Sequence, residues 1–213
     1  MIVWDGAAAL WIRYRLGLVP ADTQTTEAER ACLARHAAGR RSLVELGVMH
    51  GATTALLRRA MAPDGVVTGI DRHPPGRLFV SFERLVAKHQ LARYPRGHAV
   101  LLRQWSHEAA LGWTTPIDFL FIDGDHSWNG LERDWRDWTP HLVAGGIVAL
   151  HDSRSMPDRD DLDSVRFTKD IVLCDPRFAV VDTVDSLTVL ERNAQADEQP
   201  TTLPTATATA TND

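Results

Sequence analysis

Two short polar clusters each follow an apolar run: Asp123, Asp125 and His126 come after Asp118–Ile122, and His151 and Asp152 come after Gly146–Leu150. If both runs are strands lying side by side, about 4.8 Å apart, these side chains can converge on one ion or one substrate oxygen. An imidazole is a common general base, which makes His126 a candidate for proton transfer. The plainer reading of His126 and His151 is capping or hydrogen bonding at loop ends, and His50, His73, His98, His107 and His141 are expected on the surface. A second set of polar residues ends two earlier apolar runs. Glu45 precedes Gly47, Gly51 and Thr53, and Asp71 closes Val66–Ile70. Gly47 permits a sharp turn, Gly51 would let a ligand approach the backbone, and Asp71 is placed to accept hydrogen bonds from a ribose diol.

These residues need a scaffold, and the apolar pattern supplies one. Short runs at 42–47, 66–70, 99–103, 118–122 and 146–150 alternate with helical segments at 53–61, 77–89, 107–111 and 130–141. Such spacing means βαβ crossovers and a mostly parallel sheet. After a polar loop and a helix over 164–173, the runs 178–184 and 186–191 read as a hairpin turning at Asp185. The expected fold is therefore α/β, a Rossmann-like three-layer sandwich whose seven-stranded, mostly parallel sheet has one antiparallel strand. Ahead of it, Thr26 and Glu29 form a capping box that opens a helix ended by Gly39, and one or two short helices precede Pro20. Residues 1–38 are read as a helical cap or lid, 39–193 as the ligand-binding catalytic domain, and 194–213, rich in Ala and Thr, as a disordered tail. Trp135 and Trp138 at helical spacing are core positions, while Trp128 at the helix start could face the pocket.

Charge selects among ligands for such a sheet. A pyrophosphate would be repelled by Glu45, Asp71, Asp123 and Asp152, whereas S-adenosylmethionine brings a sulfonium and an ammonium that acids stabilise. The first turn also lacks the G-x-G-x-x-G spacing of a dinucleotide site. An NAD-dependent oxidoreductase and a catalytically inactive cofactor-binding accessory protein are the competing readings.

The strings E-L-G-x-x-x-G-x-T, G-I-D, F-I-D-G-D-H-S-W and G-G-I-V-A-L-H-D resemble the class I S-adenosylmethionine-dependent methyltransferases, over about Thr26 to Glu191. More narrowly, they look like the bacterial branch holding macrolide sugar O-methyltransferases and cephalosporin-tailoring relatives. The resemblance implies Glu45, Gly47, Gly51 and Thr53 around the methionine part, Asp71 on the ribose, and Gln104, Trp105 and Ser106 beside the adenine. It also implies His126 as general base together with Asp123, which faces the cofactor too. Asp123 and Asp152 map onto metal ligands of the metal-dependent relatives, and His151 stands where the sugar-modifying enzymes carry an acid. Magnesium prefers oxygen, so a histidine there suits manganese or iron better. Ser127, Trp128 and Asn129 supply no lysine of the catechol type. O-methylation of a small-molecule hydroxyl, on a sugar or in secondary metabolism, with a divalent metal (magnesium or manganese) left open, is the function this implies.

Composition narrows the setting. With 213 residues, 44% of them hydrophobic, the chain can bury one full core. A net charge of −5 leaves no broad cationic face for a phosphate backbone, so no nucleic-acid partner is expected. No apolar run approaches the roughly 20 residues of a membrane span, and Asp5 ahead of the first short one is unlike a signal peptide, so the expectation is a cytoplasmic protein without a membrane partner. Cys32 and Cys174 read as reduced thiols, and a homodimer is left open.

Overall fold

The computed structural model describes residues 6–21, 23–76, 79–156 and 162–194. The segment expected to be a disordered tail lies, but for its first residue, outside them. The helices are α1 (Gly6–Arg15), α2 (Glu27–Ala37), α3 (Ala52–Ala60), α4 (Phe82–Ala92), α5 (Ser106–Ala110), α6 (Trp128–Trp138) and α7 (Asp163–Asp170). The strands are β1 (Ser42–Leu46), β2 (Val66–Asp71), β3 (His98–Arg103), β4 (Ile117–Ile122), β5 (Leu142–Leu150), β6 (Phe178–Val184) and β7 (Leu187–Arg192). They form one sheet in the order β3-β2-β1-β4-β5-β7-β6, and β7 alone runs against its neighbours. The Rossmann-like architecture expected from the alternation of runs is the one observed.

Side-chain alternation along the central strands builds the three layers. On β4, Phe119 and Phe121 join Leu33, Leu57 and Met61 on one face, while Leu120 and Ile122 join Leu131, Trp135 and Trp138 on the other. On β5, Ile147 and Ala149 take the first face and Val148 and Leu150 the second. A residue's parity thus fixes its face. Continued past the strand ends, that parity sends Asp123 and His151 toward the face covered by α2 and α3, and the pairing of Ile122 with Leu150 sets them side by side.

Local chemistry explains where elements start and stop. Thr26 Oγ1 accepts from Glu29 N and Glu29 Oε2 accepts from Thr26 N, the reciprocal box expected from the sequence. The fourth helix starts at Phe82, not at 77, because Ser81 is its cap, accepting from Arg84 N at 3.3 Å. Ser127 caps α6 in the same way. That helix yields to a 3-10 turn over Thr139–His141, where Pro140 has no N–H to extend the ladder. Cys32, Leu33 and Ala37 place α2 within the packed sandwich, while α1 lies on α4, with Tyr14 Oη 2.8 Å from His89 Nδ1. No helix among the described residues is long and apolar enough to cross a membrane.

Candidate active site

A cavity of about 490 Å³ opens over the C-terminal ends of β2, β1 and β4, where ligands of open α/β sheets bind. Its wall includes Glu45, Gly47, Thr53, Asp71, Gln104, Trp105, Ser106, Asp123 and His126. Thr23 and Gln24, ahead of α2, close one side.

Gly47 holds the turn that shapes this wall. Its φ is +88°, and a Cβ there would lie 2.0 Å from the carbonyl oxygen of Asp123. Only a glycine lets the β1 turn pass so close to the end of β4. Gly47→Ala is therefore expected to cost more than about 2 kcal/mol, read as a lower denaturant midpoint with an unchanged slope. Gly51 has a packing task. A Cβ there would meet Ala87 on α4 at 2.9 Å, and Gly51 is absent from the cavity wall. It lets α3 and α4 approach each other.

The acids on the wall differ in state. Glu45 is 1% exposed, and its Oε2 has no hydrogen-bond partner among the described residues. Burial, aided by the charges of Asp123 and Asp71, pushes its carboxyl well above the usual range. A buried acid without a counter-charge is a seat for a ligand cation. Asp71 accepts from Val48 N and Met49 N on Oδ2 and from His73 N on Oδ1, at 2.7–2.9 Å. Burial would raise it, but these amides win and hold it ionised. Asp71 thus fixes the glycine turn as well as facing the cavity. Two histidines expected on the surface are buried: His50 is 7% exposed and His73 fully enclosed. His73 contacts the Met49 carbonyl through Nε2 at 2.9 Å, bracing the same turn.

At the other end of the cavity, Asp123 Oδ1 lies 3.4 Å from His126 Nε2 and 3.0 Å from His151 Nδ1. His126 is partly open to the cavity, with Nδ1 buried and without a hydrogen-bond partner among the described residues. His151 stands behind Asp123, 1% exposed, and its Nε2 faces Glu29 Oε2 at 3.5 Å. These are ionic contacts more than aligned hydrogen bonds. Burial alone would lower the pKa of His151, yet Asp123 and Glu29 outweigh it and raise it to about 10. Burial would raise Glu29, yet His151, Ser186 and the Thr26 amide lower it to about 2. Asp123 is likewise held ionised by His126 and His151 against its burial. The row Glu29, His151, Asp123, His126 thus runs from the core to the cavity with alternating charge up to Asp123.

Glu29 is the residue that sequence reasoning assigned only to a helix start. It also accepts from Ser186 N at 3.0 Å and Ser186 Oγ at 2.7 Å, tying α2 to the β6–β7 turn. At this end of the cavity, Asp123, His126 and His151 place their donor atoms within 4.8 Å of one another. Asp152 is outside that group, its Oδ2 3.8 Å from His151 Nδ1. Its parity is opposite to that of His151, and its φ is +47°. Trp128, at the start of α6, packs edge-on against Phe167 and is not on the cavity wall. Trp105 is on the wall, with the Arg72 guanidinium 3.8 Å over its ring.

Solved structures share this architecture at low identity. The O-methyltransferase from Bacillus cereus in complex with SAH aligns at TM-score 0.59 and 17% identity, covering 90% of this chain and 93% of that one. The O-methyltransferase TomG from Streptomyces achromogenes, involved in tomaymycin synthesis and solved with SAM, aligns at 0.60 and 17%, covering 89% and 90%. An rRNA methylase from Streptococcus thermophilus aligns at 0.56 and 13%, covering 81% and 99%. At these identities the likeness shows the fold and leaves the acceptor open. The family model described as "Methyltransferase domain" matches residues 44–153, just over half of the chain, from within β1 through the end of β5. This chain belongs to that methyltransferase family, with S-adenosylmethionine-dependent methyl transfer as its class of activity.

Proposed function

We propose that the protein is an O-methyltransferase acting on a hydroxyl of a small molecule, a sugar or a secondary metabolite, with His126 as the base. The observation that carries this reading is that His126 and Asp123 share one cavity with Glu45 and Asp71. A proton acceptor and a set of acids suited to a sulfonium cofactor therefore face the same space. The first turn of α3, with Thr53 on the wall, points its free amides at the end where a methionine carboxylate would sit, and Glu45 answers the ammonium. Asp71 meets the ribose.

Methyl transfer is an in-line displacement. The acceptor oxygen attacks the methyl carbon, the carbon–sulfur bond breaks onto sulfur, and the hydroxyl proton passes to His126, leaving S-adenosylhomocysteine. Asp123 holds the His126 ring and stabilises the imidazolium it becomes. Helix α1, packed on α4, and Thr23 and Gln24 at the cavity rim act as the cap that excludes water.

A divalent ion is the second part of the proposal. Asp123 and His151, with Asp152 Oδ2 3.8 Å from His151 Nδ1, would hold it and leave His126 to act as the base, and an imidazole among carboxylates suits manganese or iron over magnesium. Bound there, it would lower the pKa of an accepting hydroxyl. It would also have to displace the proton of His151, so ion binding is expected to strengthen as pH rises. The acceptor class is tested by incubating the enzyme with methyl-deuterated S-adenosylmethionine and a panel of phenols, sugars, amines and ribosomal RNA. Label on a small-molecule oxygen is expected; label confined to nitrogen or to RNA would contradict the reading.

A further inference from the structure

We propose that Asp134 reads the exocyclic amine of the ligand's base, making the nucleoside end of the cavity selective for adenine over ring systems with a carbonyl at that position. The inference rests on the cofactor reading above and adds a residue on α6 to it.

Asp134 is only 3% exposed, yet it lies on the cavity wall. Ser106 Oγ donates to its Oδ1 at 2.5 Å. The other oxygen faces Gly124, where the missing Cβ would stand 3.6 Å away, so no side chain of that residue covers it. No hydrogen bond to Oδ2 is found among the described residues. Burial raises the carboxyl to about 6 despite the Ser106 bond, and the charges of Asp125 and Asp137 add to the rise. Near neutral pH it is a largely ionised acceptor short of a donor, which a ligand N–H would relieve.

The neighbouring wall is flat. The Arg72 guanidinium stacks on the Trp105 ring at 3.8 Å, both line the cavity, and Trp105 is 43% exposed. A planar shelf beside a buried acceptor suits a heteroaromatic ring that carries an amine at its edge. An amine donates to Asp134, whereas a carbonyl in its place would set two acceptors against each other.

The experiment is calorimetric titration of the full chain with S-adenosylhomocysteine, S-inosylhomocysteine and the N6,N6-dimethyl analogue of the former. The wild type is expected to bind the first about 10- to 100-fold more tightly than the other two, the range of a hydrogen bond to a charged group. Asp134→Asn can donate to the inosine carbonyl, so it is expected to lose that preference and to gain affinity for S-inosylhomocysteine. A gain cannot come from misfolding. If Asp134→Asn does not fold, Asp134→Ser takes its place and is expected to narrow the preference. Equal wild-type affinity for the three ligands, or an undiminished preference in the folded variant, would overturn the proposal. Absence of any S-adenosylhomocysteine binding by the wild type would sink the cofactor reading itself, an outcome distinct from binding without selectivity.

Discussion

Glu29→Ala lowers the stability of the protein by about 3–5 kcal/mol, the range for removing one partner of a buried ion pair. The variant strands the buried His151 cation, with only Asp123 and the more distant Asp152 to answer it. It also deletes the Glu29 half of the capping box and both bonds to Ser186. Thr26→Ala is the control, since it removes the Thr26 half of the box and leaves Glu29 in place; its expected cost is about 1 kcal/mol. Urea denaturation of the two variants decides the matter: equal losses would mean that Glu29 does no more than cap a helix.

The same pair makes a pH prediction. His151 is raised from 6.5 to about 10 in the folded protein, so its contribution is complete below about 6.5 and is lost as pH rises through about 10. Glu29 is lowered from 4.5 to about 2, so its contribution is complete above about 4.5 and is lost as pH falls through about 2. These are two views of one interaction and do not add. Between pH 7 and 10 the wild type loses thermal stability, and Glu29→Gln loses less, because one of the two carboxylates that hold the His151 proton is gone.

His126→Ala reduces methyl transfer by about 10²–10⁴-fold, the usual contribution of a positioned base. Affinity for S-adenosylhomocysteine stays near the wild-type value, because Glu45 and Asp71, the cavity acids proposed to meet the cofactor, are untouched. The loss falls on kcat more than on KM for the cofactor. Unchanged turnover of the acceptor in this variant would remove His126 from the mechanism and leave Asp123 as the group to test next.

The fold was legible because its signals are periodic and local. Apolar runs separated by helical lengths, a capping box at Thr26 and Glu29, and a hairpin turn at Asp185 each carry their own physics within a few residues. Strand parity then brings Asp123 beside His151 without any further information. What stayed hidden depends on contacts distant in sequence. A capping box accounts for Glu29 so completely that nothing in the chain hints at His151, 122 residues further on, as a second partner. The packing task of Gly51 stayed hidden because its neighbour across the gap, Ala87, belongs to another helix. His73 follows the end of a strand and invites a surface reading, yet the turn it braces encloses it. Asp134 did leave a trace. It shares the buried stripe of α6 with Leu131, Trp135 and Trp138, and a carboxyl on an apolar stripe calls for a partner.

The claim that the crevice over β1, β2 and β4 seats a sulfonium cofactor is tested most directly by calorimetric titration with S-adenosylhomocysteine and, separately, NADH. The account predicts saturable one-to-one binding of S-adenosylhomocysteine, weakened in Glu45→Gln and Asp71→Asn, and no heat with NADH. Saturable binding of NADH, or an S-adenosylhomocysteine affinity indifferent to both substitutions, would contradict it.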